Sequence, residues 1–151
     1  MLTQLTTLAQ QCDGRYASDA ELECLKDYLE EIDQRIYTYN KIYKNENQLI
    51  EQIGVKTHAD IFQKSGKDLS SLCERDQRHT MRFIATAMLF NEPDKLRQKL
   101  LWQSIIMRAF KDQNSSNITY KMMGEVMNEQ FNDEEMKLIK PALELVQMML
   151  R

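Results

Sequence analysis

The sequence predicts an all-α protein, and three observations carry that prediction. Apolar residues recur at helical spacing along nearly the whole chain, and nothing alternates with period two over a useful length. Only 4 Gly and 2 Pro occur in 151 residues, too few for a turn-dense β fold. Hydrophobic residues make up 42 % and charged residues 28 %, the balance of a folded chain rather than a disordered one. With roughly 100–200 residues per domain and no visible linker or repeat, residues 1–151 read as a single domain.

The elements follow in chain order. Leu2, Leu5 and Leu8 mark a short amphipathic helix over Leu2 to Gln11, stopped near Gly14. It is too short to stand alone and has to dock. Ser18 followed by Glu21 is a capping-box pattern, so a helix starts there. Leu22, Leu25, Leu29, Ile32, Ile36, Tyr39 and Tyr43 then follow at 3-4-3-4-3-4 spacing, a seam built to pack on another helix. The pattern continues to Gly54, expected to end it, and is equally consistent with two helices broken near Glu30–Asp33. Val55 to Phe62 reads as a separate short helix, followed by a polar turn around Lys64–Lys67.

A helix is expected from about Asp68 to Phe90, ended by Pro93, and another from Pro93 carrying Leu96, Leu100, Trp102, Ile105, Ile106 and Phe110. The polar run Asp112–Asn117 reads as a loop, and Ile118 to Phe131 as a Met-rich helix. Asn132 with Glu135 is a second capping signature, opening a last helix with Met136, Ile139, Leu143, Val146 and Leu150. The ten Met are expected mainly as core filler.

Composition also limits function. A net charge of −3 gives no field for unaided nucleic-acid binding. No apolar run approaches the roughly 20 residues a membrane span needs, so no membrane insertion is expected, and the N-terminus lacks the pattern of a secretory signal, which points to an intracellular location. Cys12, Cys24 and Cys73 fit neither a disulfide framework nor a CxxC metal site. His58 and His79 have no triad or metal spacing, so no enzyme activity is expected.

The helix holding Cys73 breaks its own pattern. At roughly 100° per residue, Leu69, Leu72, Phe83, Ala87 and Phe90 share one side, with Asp76 near the middle and Cys73 and Thr80 beside it. A carboxylate there needs a partner. Either it pairs with a base such as Arg75, or the face lines a pocket and the acid accepts hydrogen bonds from a ligand. Cys73 is accordingly either a small buried hydrophobe or an attachment point.

Cys73-Glu74-Arg75-Asp76 resembles the C-x-R-D motif at which phycobiliproteins attach a linear tetrapyrrole. The run from Cys73 to Pro93 is similar to that family's second-half signature through Arg75, Asp76, Arg82, Ala85, Ala87-Met88-Leu89 and Pro93. Gly14-Arg15-Tyr16, then Leu22, Leu25, Lys26 and Tyr28, is similar to its N-terminal part. The resemblance implies a globin-like bundle extended by an N-terminal helical pair that clasps a partner subunit. It implies a phycocyanobilin-type bilin on a thioether to Cys73, with Asp76 accepting pyrrole N–H groups and Arg75 gripping a propionate. It places His79 and Thr80 against the pigment, where the family usually has aromatic residues. Lys67, with Lys64, stands in for the bases that usually precede the attachment cysteine. Arg82, Arg15 and Tyr16 would lie at the contact with a phycobiliprotein-like partner or a second copy, and Gln11 stands where the family has the acid that meets the partner's arginine. The implied role is light harvesting or excitation transfer at the cytoplasmic face of the thylakoid. The alternative is a regulatory or interaction protein of the phycobilisome that binds bilin transiently or not at all.

Overall fold

The computed structural model describes the backbone of residues 1–65, 70–109 and 113–150, and the side chains of 1–57, 74–109 and 115–150. These residues form six helices and no strand: α1 Leu2–Gln11, α2 Asp19–Ser65, α3 Ser70–Phe90, α4 Pro93–Ala109, α5 Gln113–Gln130 and α6 Asp133–Met149. The all-α prediction holds. The second helix is one continuous rod of 47 residues. Gly54 does not end it, and Val55 to Phe62 is its continuation rather than a separate helix. The expected loop is also corrected. Residues 113–117 already belong to α5, where Ser116 is buried despite the polar composition of that stretch.

The capping signatures are realised. Ser18 N donates to Glu21 at 2.8 Å, and Glu21 N donates back to Ser18 Oγ at 3.4 Å. At α6, Asn132 N donates to Glu135 at 2.8 Å and Glu135 N to Asn132 Oδ1 at 2.9 Å, a complete capping box. The Glu135 carboxylate, 1 % exposed, also receives Lys41 Nζ of α2 at 2.7 Å, which ties the start of α6 to the long helix.

One core joins all helices but the first. The long helix packs on α3 and α5, and α6 packs on α3, α4 and α5. Ile42, Leu49, Ile50 and Ile53 meet Met81, Ile84 and Met88 of α3, Leu96 and Leu100 of α4, Met123, Val126 and Met127 of α5, and Ile139, Leu143 and Val146 of α6. Met81, Met88, Met123 and Met127 are buried there, as adaptable filler should be, while Met148 is exposed.

The predicted seam of α2 is only partly used. Tyr39 packs on the core, but Leu29, Ile36 and Tyr43 are exposed, and the buried face of that stretch runs instead through Arg35, Thr38 and Ile42.

The end of α3 is held unusually well. A helix leaves its last four carbonyls without partners inside the helix. Here Glu92 N takes that of Ala87 at 3.0 Å, Arg35 takes Met88, Tyr28 Oη takes Leu89 at 2.9 Å and the Met1 amino group takes Phe90 at 2.8 Å. Asn91, with φ of 48°, turns the chain into Pro93 and α4. Glu92 then fixes α1: it accepts from Thr3 N at 2.6 Å, Thr3 Oγ1 at 2.8 Å and Met1 N at 3.2 Å. That is the docking contact a ten-residue helix requires.

Candidate functional site

The face of α3 that carries Asp76 lies only partly against the core: Ala87 is buried in it and Phe83 packs on its edge, while Asp76 is 43 % exposed. The buried residues of that helix are Gln77, Thr80, Met81, Ile84, Ala85, Ala87 and Met88. Their mean direction is about a quarter turn away from the predicted stripe at roughly 100° per residue. The stripe instead looks along the junction with α4, where two open clefts lie end to end. The first, about 460 Å³, is lined by Arg75, Asp76, His79 and Phe83 of α3 and by Lys99, Trp102, Gln103, Ile106 and Met107 of α4. The second, about 400 Å³, shares Phe83 and Lys99 and continues past Ala87 and Phe90 to Leu2 and Glu92. Lys99 Nζ sits over the Phe83 ring, 4.6 Å from its centre, and forms the step between them.

Asp76 borders the cleft and is also in contact with Arg75. Its side chain is 43 % exposed in the first cleft, and its Oδ1 receives Arg75 Nε at 3.4 Å, a long contact to a guanidinium that is itself largely in solvent. Such a pair is weak and exchangeable. His79 lines the same cleft, its ring tilted against Phe83 with centres 6.4 Å apart.

Thr80 is placed differently. It is fully buried behind the cleft and takes part in a polar triangle with two residues of the neighbouring helices. Gln103 Nε2 donates to Tyr120 Oη at 2.9 Å and to Thr80 Oγ1 at 3.2 Å, and the two hydroxyls are 3.2 Å apart. Thr80 thus fixes Gln103, which does line the cleft, rather than forming the wall itself. Position 73 lies on α3 three residues before Asp76; the Cys73 side chain, and the whole of Lys67, fall outside the described residues.

The facing wall on α4 was not recognised as part of a site from the sequence. A signal was present: Leu100, Leu101, Trp102, Ile105 and Ile106 spread around too wide an arc for a single core contact. Only Leu96, Leu100 and Ser104 of α4 are buried.

The expected interface residues sit on the surface. Tyr16 is 98 % exposed. Arg15 is engaged within its own segment, donating to Glu21 at 2.7 and 3.0 Å and to the Tyr16 carbonyl at 3.0 Å. Those bonds from Arg15, with those from Ser18, hold the Glu21 carboxyl down at about 2. Arg82 forms a two-pronged pair with Glu46 of α2, and Arg78 donates to the neighbouring Asn47 at 2.7 Å. The Arg82 hydrogen bonds outweigh the burial of Glu46 and hold its carboxyl below the usual range.

Among the described residues no cluster of His, Cys, Asp and Glu could hold a metal ion, and no helix is long and apolar enough to cross a membrane.

Fold and site together define an all-helical protein with an open cleft between two consecutive helices, an acid on one wall and aromatic side chains on both. A family model described as phycobilisome protein matches residues 8–150. The chain belongs to the phycobilisome protein family, whose globin-like all-α fold it shares. Comparison with curated proteins gives no match.

Proposed function

We propose that the chain is a phycobiliprotein-like subunit carrying one linear tetrapyrrole of the phycocyanobilin type, joined by a thioether to Cys73 and seated in the α3–α4 cleft. The observation that carries this reading is that the face of α3 bearing Asp76 borders an open space of about 460 Å³ instead of closing on protein.

The residues suit such a molecule. Phe83, Trp102, Ile106 and Met107 offer an apolar and aromatic surface to a flat conjugated system, and the polar groups are few and local. Asp76 presents a carboxylate able to accept N–H groups of two adjacent rings. Arg75 holds that carboxylate only loosely, so its guanidinium is available for a bidentate grip on a propionate. When bound, the pigment supplies visible absorption; the chain sets its shape and surroundings and turns nothing over. His79 borders the same space, Thr80 acts through Gln103, and Lys67, outside the described residues, is assigned to a propionate as the family resemblance implies. Tyr16, Arg15 and Arg82 mark the side offered to a partner subunit or second copy within the phycobilisome, at the cytoplasmic face of the thylakoid.

A second reading has one observation in its favour. Arg82, the residue expected to meet a partner's acid, already donates through Nε and Nη2 to Glu46 of its own chain. That favours a regulatory or interaction protein of the phycobilisome which stands outside ordinary ring assembly and binds bilin transiently or not at all.

Co-expression with a bilin-producing pathway separates the two. Zinc-enhanced fluorescence on a denaturing gel is expected from the wild type and not from Cys73→Ala. A colourless wild type leaves the second reading standing.

A further inference from the structure

The side of α4 turned away from the core is apolar over its second half, and its edges are basic. On a wheel of roughly 100° per residue, the core contacts Leu96, Leu100 and Ser104 lie on one side. Leu101, Ile105, Trp102 and Ile106 occupy the opposite arc in the second half of the helix, where they are 56 %, 55 %, 66 % and 38 % exposed, and the exposed Asp94 and Gln98 share that arc in its first half. Trp102 and Ile106 also border the first cleft, whereas Leu101 and Ile105 line neither cleft described above. Arg97 and Arg108 run along one edge of the strip, with Lys95 and Lys99 toward the other. The helix thus holds four cations against one acid, Asp94, in a chain whose net charge is −3.

Those cations are largely uncommitted. Lys95 lies 3.8 Å from Glu92, and Lys99 rests on the Phe83 ring. Among the described residues no carboxylate forms an ion pair with Arg97, Lys99 or Arg108. An apolar ridge with an indole at its centre and long basic side chains on both flanks matches a helix lying in the plane of an anionic lipid surface. The apolar residues enter the headgroup boundary, and the Lys and Arg stems reach sideways to the phosphates. The cations are divided between the two edges of the strip. A flat, deformable anionic layer meets both edges at once, where an acidic protein would need a groove cut to the helix.

We propose that the outer face of α4, through Leu101, Trp102 and Ile105 flanked by Arg97 and Arg108, docks on an anionic lipid surface. The proposal does not depend on the pigment, because its central residues Leu101 and Ile105 stand outside the cleft.

Trp102 is the single tryptophan of the chain, so its emission reports on this face and on the first cleft it borders, and sedimentation supplies a reading independent of the cleft. The full-length chain is mixed with vesicles of equimolar phosphatidylglycerol and phosphatidylcholine, or of phosphatidylcholine alone, and read by sedimentation and by Trp102 emission. Sedimentation and a blue shift are expected with the first only, and both weaken as salt is raised. Arg97→Gln and Arg108→Gln should each lower partitioning about fivefold, the equivalent of about 1 kcal/mol per cation near such a surface. The pair Leu101→Glu with Ile105→Glu, at exposed positions that leave the helical circular dichroism intact, should abolish it. A chain that stays in the supernatant with anionic vesicles overturns the proposal. So does a blue shift that depends on protein concentration without vesicles, which would assign the face to a second copy.

Discussion

Arg82 closes a two-pronged ion pair with Glu46, Nε to Oε1 at 2.7 Å and Nη2 to Oε2 at 2.8 Å, and so straps α3 to the middle of α2. The carboxylate is the better-buried partner, at 16 % exposure against 60 % for the guanidinium, and Arg78 approaches it at 3.5 Å as well. Glu46→Gln should therefore cost about 1–2 kcal/mol, the range for hydrogen bonds to charged groups reduced by solvent. The folded-state pKa of Glu46 is depressed. Its contribution is then present above the ordinary carboxylate pKa and disappears as the pH falls through the depressed value. Urea unfolding of wild type and variant at neutral and acid pH checks this: the two midpoints should converge in acid.

Glu92 predicts a second acid-sensitive contact. Burial pushes its carboxyl up, but the backbone and side-chain donors of Thr3 and the amino group of Met1 outweigh that and hold it at about 2. The stabilisation is complete above the unfolded value of about 4.5 and is lost as the pH falls toward 2. Since Glu92 is what docks α1, acid should release that helix before the core opens. Amide exchange over residues 2–11 should rise in this pH window while exchange at Ile53, Ile84 and Val126 stays protected. Glu92→Gln should show the same loosening at neutral pH.

The polar triangle behind the cleft yields a third expectation. Tyr120→Phe removes the acceptor of Gln103 at 2.9 Å and should cost about 1 kcal/mol. On the bilin reading, it should also loosen Gln103 in the wall of the cleft and broaden the visible absorption band without affecting attachment. On the same reading, Asp76→Ala acts on the pigment directly, and its absorption should shift as well as broaden, with covalent attachment retained. An unchanged spectrum in Asp76→Ala would refute the role given to that carboxylate.

How much of this was legible differs from element to element. Both capping boxes were readable because all their partners lie within four residues, and the helix order followed from apolar spacing. The rotation of α3 was not readable. Gln77 is polar yet buried, and Thr80, read beside Asp76 on the pocket face, is buried behind the cleft with its partners on α4 and α5. Phe90, which looks like a core residue, instead lines an open cleft, and Phe83 packs on the core with one side and lines both clefts with the other. The start of α5 was missed for a related reason. Its polar residues satisfy the composition of a loop, yet Ser116 and Thr119 are buried against the rest of the bundle. The acid on an apolar stripe was the one local inconsistency that pointed to the cleft, and its physical content is that Asp76, Phe83 and Phe90 border open space.

Gly54 is where local propensity and the long helix disagree most plainly, and that disagreement can be measured. A glycine loses more conformational freedom on folding than any other residue and, in the interior of a helix, costs about 0.5–1 kcal/mol relative to alanine. Here it lies well inside α2, with no positive φ to favour it and nothing within 4 Å of where a Cβ would stand. Gly54→Ala should accordingly raise stability by about that amount, seen as a higher urea midpoint at unchanged slope. Gly124→Ala provides the contrast. Its Cβ would come within 2.5 Å of Gln147 Nε2, which must then leave the Tyr120 carbonyl it holds at 3.1 Å, so the helix gain is offset by a lost hydrogen bond. Equal stabilisation by both substitutions would mean that Gln147 contributes nothing where it lies. No gain at Gly54 would mean that α2 is not continuous through that position in solution.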